Sequence, residues 1–79
     1  MKYKYVIVSS TYYDDDKSRT AFGIAAIIQN DEYLTVVEEY SDLSDRIELV
    51  KNLVNVCNES ELDPIHLKGV VEDFMISVW

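Results

Sequence analysis

The chain has 79 residues, with fifteen Asp and Glu against seven Lys and Arg, a formal net charge of −8, and Cys57 as its one cysteine. That length makes a single domain, 1–79, with a thin core, and a lone cysteine excludes a disulfide framework. The charge disfavours direct nucleic-acid binding, because phosphates would be repelled.

No apolar run approaches the roughly 20 residues that span a bilayer, so no membrane association is expected. Met1-Lys2-Tyr3-Lys4-Tyr5 enters a strand-like stretch without a signal-cleavage pattern. A cytoplasmic location is therefore expected. The charge is uneven along the chain. Residues 1–19 hold Lys2, Lys4, Lys17 and Arg19 against three acids, while residues 20–79 hold twelve acids against Arg46, Lys51 and Lys68.

The first half reads as strands. Residues 3–12 are rich in Tyr, Val and Ile, and Asp14-Asp15-Asp16-Lys17-Ser18 breaks the pattern as a polar turn. Residues 19–29 resume as a strand, Asn30-Asp31-Glu32 turns again, and residues 33–40 form a third strand. Short polar breaks between such runs predict an antiparallel meander. On the middle strand Phe22, Ile24, Ala26 and Ile28 share one bulky apolar face, and Ala21, Gly23, Ala25 and Ile27 share the other. The first face suits packing against helices. The second is mostly small, and is either open to water or closely approached.

The second half reads as helices. Ser44 or Asp45 is a candidate N-cap, with Glu48 three residues after Asp45 in the manner of a capping box. Over residues 45–58, Ile47, Leu49, Val50, Leu53, Val54, Val56 and Cys57 fall within one half of the helix. Asp63 before Pro64 marks a second start. Over residues 64–77, and on to Val78, the apolar stripe is Leu67, Val70, Val71, Phe74, Met75 and Val78. Ile65 and Ile76 flank Gly69 on roughly the opposite side. The expected fold is α+β: a three-stranded antiparallel meander followed by two helices packed on one face, β-β-β-α-α.

Chemistry is sparse. Asp14, Asp15 and Asp16 lack the alternating ligands, the glycine and the late glutamate of a calcium loop, and read as a solvated turn. His66, the only histidine, sits in the first turn of the second helix without a nucleophile beside it or a set of zinc ligands; a structural hydrogen bond is its expected role. Cys57 on an apolar helix face is expected to be inert, with a raised pKa. There is no phosphate-cradling glycine loop. No catalytic residue, metal or cofactor is expected, and the chain reads as a non-enzyme. The tyrosines (Tyr3, Tyr5, Tyr12, Tyr13, Tyr33 and Tyr40) gather in the strand half, where packing and strand propensity account for most of them.

Phe22-Gly23-Ile24, Pro64-Ile65-His66-Leu67 and Val70-Val71-Glu72-Asp73-Phe74 together resemble a family of small proteins from clostridia and related Firmicutes, a domain of unknown function. In that family an aromatic-Gly-Ile strand precedes a helix and then a Pro-Ile-His-Leu helix start. The resemblance covers most of residues 3–76 and implies a bacterial source, but no activity. The chain departs from the family at Gly69, where members usually carry a polar residue.

Function is thus expected to lie on the surface. The first expectation is a small acidic protein-interaction module, self-associating as a homodimer through Ala21, Gly23, Ala25 and Ile27 or through Ile65, Gly69 and Ile76. The alternative is an acidic inhibitor or nucleic-acid mimic that engages a basic protein through Asp14, Asp15, Asp16, Asp31, Glu32, Glu38, Glu39 and Asp42.

Overall fold

The computed structural model describes residues 3–78, the side chain of Val78 excepted. The order of elements is β1 (Lys4–Asp14), β2 (Lys17–Gln29), β3 (Leu34–Ser44), α1 (Ile47–Glu59), a 3-10 turn (Pro64–His66) and α2 (Leu67–Val78). The strands lie in the order β1-β2-β3 and every pairing is antiparallel. This is the expected meander followed by two helices.

The first two strands run further than their apolar patterns. Only Asp15 and Asp16 remain in the turn between them. The extension is held by cross-strand pairs: Asp14 faces Lys17, Tyr12 faces Arg19, and Thr11 faces Thr20. Such opposite-charge, aromatic and Thr–Thr pairs stabilise a ladder even among polar residues. Asp15 and Asp16 have φ of 49° and 64°, the left-handed pair of a type I′ turn, a site that favours Asn-Gly. Pairing of β2 with β3 ends at Phe22 and Ser44. Residues 11–20 therefore project as a two-stranded ribbon, exposed throughout.

At the other end of the sheet the Asn30 side chain accepts bonds from the Glu32 and Tyr33 N–H groups, each at 2.9 Å. This Asx turn closes the loop between β2 and β3. β3 then overruns its expected end at Tyr40 by bulging. Ser41, Asp42 and Leu43 stand between the Tyr40–Ile24 and Ser44–Phe22 pairs, opposite Gly23 alone. Asp42 takes a φ of 57° there, and its carboxylate accepts a hydrogen bond from the Ser10 hydroxyl. A second irregularity lies between Ala26 and Ile27.

Gly23 makes the large bulge possible. A Cβ at that position would lie 2.1 Å from the Tyr40 carbonyl oxygen and 2.7 Å from the Ser41 Cα. The small-residue face is thus closely approached at Gly23, and what approaches it is the main chain of β3.

The core forms on the other face of the sheet. Ile24, Ala26 and the partly buried Phe22 meet Tyr5 and Leu43, and the helices add Val50, Leu53, Val54, Cys57, Leu67 and Val71. Ile47 and Val56 belong to the apolar half of α1 by periodicity, yet both are exposed.

The helix ends differ from expectation at one of two starts. Helix α1 begins at Ile47, with Arg46 as an N-cap that makes no side-chain bond. The buried Ser44 hydroxyl instead accepts from the Arg46 N–H at 3.0 Å, which fastens the exit from β3. Asp45 lies outside the cap, so the box with Glu48 does not form. At the second start Asp63 caps as expected, its carboxylate accepting from the Ile65 N–H at 3.0 Å. Its first turn, Pro64–His66, is 3-10, and α2 itself starts at Leu67.

Helix α1 closes in a Schellman arrangement. The Leu62 N–H reaches the Cys57 carbonyl at 3.0 Å and the Glu61 N–H reaches the Asn58 carbonyl at 3.2 Å. Glu61 occupies the left-handed position with φ 51°, where glycine is the usual residue.

Candidate functional site

The surface is best built from the two sheet edges and the cleft between the helices. β1 is one edge. The residues flanking a two-residue hairpin turn form a hydrogen-bonded pair, so Asp14 and every second residue before it direct their peptide groups to β2. Tyr5, Ile7, Ser9, Thr11 and Tyr13 direct theirs outward. At Tyr5 this edge is closed by Asn58 of α1. The Asn58 Oδ1 accepts from the Tyr5 N–H at 2.7 Å and its Nδ2 donates to the Tyr5 carbonyl at 2.9 Å.

The Tyr5 hydroxyl completes the attachment, donating to the Leu62 carbonyl at 2.6 Å. Burial, and then the neighbouring Cys57 and Asp63, push its pKa up to about 12, because a phenolate would be poorly solvated there. The same tight turn that positions Asn58 also presents the Leu62 carbonyl.

The cleft lies between the helices. It is a groove of about 410 Å³ lined by Leu49, Asn52, Leu53 and Val56 of α1 and by Val70, Asp73, Phe74 and Ser77 of α2. Among the described lining residues Asp73 is the only charged one, and Val56, also in the lining, is 58% exposed. Outside the groove stand Ile65 of the 3-10 turn and Ile76 of α2, each 80% exposed. Between them a Cβ added to Gly69 would meet nothing within 4 Å.

The residues anticipated for self-association thus separate into two kinds. Ala21, Ala25 and Ile27 are buried within the single chain, and Gly23 lies under the main chain of β3. In register, Ala25 sits between Val6 and Glu39, where its small side chain is overshadowed by larger neighbours, and Ile27 sits between Lys4 and Val36. Ile65, Gly69 and Ile76, by contrast, form an open patch.

The anticipated acids are also dispersed. Asp14, Asp15 and Asp16 lie at one end of the sheet and Asp31 and Glu32 at the other. β2, with 13 residues, separates them by roughly 40 Å at about 3.3 Å per residue. Glu38 stands in the bulged part of β3 opposite Ala26, and Glu39 opposite Ala25, which puts them on opposite faces. Asp42 is engaged by Ser10. These acids fall in separate places rather than along one line.

The remaining chemical candidates are built into the frame. Cys57 is buried, and burial raises its thiol pKa, as expected for an unreactive position. The His66 side chain is exposed, and it is the residue's main-chain N–H that donates to the Asp63 carbonyl, at 2.9 Å. Among the described residues no group of three or more His, Cys, Asp or Glu could hold a metal ion. No helix among them is long and apolar enough to cross a membrane.

A model of the "Family of unknown function (DUF6514)" matches residues 1–77. The chain belongs to this family. No curated protein and no solved structure matches it. DUF6514 membership brings no activity with it, so the functional reading starts from the surface of this member.

Sequence reasoning placed Leu49, Leu53, Val56, Val70 and Phe74 on apolar stripes but did not find the groove between them. The signal was available in part: α1 carries more apolar positions than one core-facing seam needs. Asn58 had no such signal. An asparagine near a helix end reads as a C-cap, and only the fold brings it to Tyr5.

Proposed function

We propose that this chain is a non-enzymatic protein-interaction module of the cytoplasm whose docking site is the groove between α1 and α2. The observation that carries this reading is an open apolar groove, about 410 Å³, whose single charged lining residue among those described is Asp73. Helices dock in such grooves by laying apolar residues at i, i+3, i+4 and i+7 into them. The occupant proposed is an amphipathic helix of a protein partner, with Lys or Arg at its flank. A chain with a net charge of −8 attracts such a helix and speeds its encounter.

The test is photo-crosslinking in the source cell, with a reactive residue at Val56 in the groove or at the exposed Lys51 of the same helix. The expected result is a defined adduct at position 56, mapped to an apolar and basic helix, and none at 51. Equal adducts at both positions, or an adduct at 56 to an acidic or non-helical segment, defeats the reading.

The alternative, an acidic inhibitor of a basic nucleic-acid-binding protein, draws on the net charge alone. For that occupant, mapping would lead to acids at the hairpin tip or on β3, and the interaction would weaken steeply with salt.

A further inference from the structure

The groove leaves one feature unused: the outer edge of β1. From Tyr5 to Tyr13 the strand carries no charged residue, no proline and no glycine, and its pairing with β2 is unbroken from Lys4 to Asp14. Natural sheets normally blunt an edge of this kind with charges, prolines or bulges. Here the clamp at Tyr5 closes one position and leaves the outward peptide groups of Ile7, Ser9, Thr11 and Tyr13 facing away from the sheet.

We infer that β1 pairs antiparallel with β1 of a second copy of this chain, joining two three-stranded sheets into one across a two-fold axis at Ser10. The register follows from parity and from the clamp. Outward-facing residues must meet outward-facing residues to exchange hydrogen bonds. Centring on Ser10 places Ile7 opposite Tyr13 of the second copy and Ser9 opposite its Thr11. All the unclamped positions are then used, and the second copy's hairpin turns back at Asp15-Asp16 where Asn58 closes the edge.

The side chains agree with this register. Tyr13 is 80% exposed and Tyr12 46% exposed in the single chain. In the pair Tyr13 faces the half-buried Ile7 and Tyr12 faces the half-buried Val8, and such aromatic–β-branched pairs are favourable across strands. Asp14 falls opposite Val6 of the second copy and diagonal to its Lys4, within reach of a long side chain. The symmetry repeats that opposite-charge pair on the other side. A two-stranded ribbon by itself is marginal in water, and the pairing gives the projecting residues 11–20 a third strand.

The test uses the unaltered chain first. Amide hydrogen exchange is followed by NMR across a concentration series, alongside sedimentation. The expected result is a dimer, with the Ile7, Ser9, Thr11 and Tyr13 amides gaining roughly tenfold or more protection as it forms. The Val6, Val8, Ser10 and Tyr12 amides, already bonded to β2, should change little.

A second measurement reads the register. Ser10 meets its own symmetry copy in a non-hydrogen-bonded pair, about 4.5 Å between Cα atoms and within disulfide reach. Ser10→Cys should therefore link covalently under mild oxidation, whereas Tyr12→Cys should not, and Cys57 is buried and stays out of the reaction. A monomer at every concentration overturns the inference. So does a dimer whose edge amides stay unprotected, or equal linking of both cysteine variants. The groove reading is independent, because a residue changed at Val56 leaves the β1 edge intact.

Discussion

The two edges of this sheet are built in opposite ways. β3 carries Glu38, Glu39 and Asp42 and is broken by two irregularities. β1 is regular, and its stretch from Tyr5 to Tyr13 is uncharged. Charges and bulges deny a neighbouring strand a continuous ladder, whereas a flat run of β-branched and aromatic residues supplies one. Among the described residues the closure on β1 is borrowed from a helix, through Asn58 at Tyr5. The difference teaches that edge protection here is selective: one edge is sealed by its own sequence, and the other only at the point where α1 reaches it.

The comparison is most strongly broken at Gly23. The β3 bulge depends on the missing side chain, and a methyl group there meets backbone rather than a movable side chain. Gly23→Ala should cost about 3 kcal/mol, the upper end of the usual overpacking range. Denaturant unfolding would measure it. A loss below about 1 kcal/mol, within the range of ordinary substitutions, would show that the bulge has room to move.

Asn58→Ala attacks the other edge. It frees the Tyr5 N–H and carbonyl and should cost about 2 kcal/mol, the scale of paired backbone groups losing their partners. Hydrogen exchange at concentrations low enough to leave the chain monomeric should then show the Tyr5 amide joining Ile7 and Ser9 among the open edge positions. An unchanged Tyr5 amide would mean that the clamp does not close the edge.

Tyr5→Phe removes the bond to Leu62 and should cost about 1 kcal/mol near neutral pH. The pH response separates this from simple packing. The folded-state pKa is raised from 10.0 to about 12. The stability linked to the neutral phenol is therefore complete below pH 10 and is lost as pH rises towards 12. The unaltered chain should lose about 2–3 kcal/mol across that window from this group, and the Phe variant should lack that component. Parallel pH curves for the two would contradict the buried placement of the hydroxyl.

The smallest effect is a gain. Glu61→Gly relieves a left-handed glutamate at the end of α1 and removes a negative charge from the negative end of the helix. It should add about 0.5–1 kcal/mol, read as a higher unfolding midpoint. Because the same turn positions Asn58, protection of the Tyr5 amide should rise with it.

Much of the fold was legible because it rests on local rules. Period-two patterns with polar breaks marked the strands, and Asp63-Pro64 marked the second helix start through a cap that the structure contains. The errors came where a tertiary partner outweighed local chemistry. The acidic turn shrank to Asp15-Asp16 because Asp14 found Lys17 and Tyr12 found Arg19 across the hairpin. The strand β3 continued past Tyr40 because Gly23 gave its bulge a place to lie. The α1 cap moved because the Ser44 hydroxyl bonded the exit from the strand instead of the helix. The small-residue face also differs from an open surface: Ala21, Ala25 and Ile27 alternate away from the helices, yet each is buried within the single chain.

The sequence by itself determined the class and order of the elements, the face of β2 that meets the helices, and the charge of the whole. Each of these depends on residues close together in the chain. The tertiary structure alone decided which backbone groups stay unpaired and which apolar side chains stay exposed. Asn58 and Tyr5 are 53 residues apart, and the groove is shared by two helices. Contacts at such separations are set by packing geometry, which no local pattern encodes.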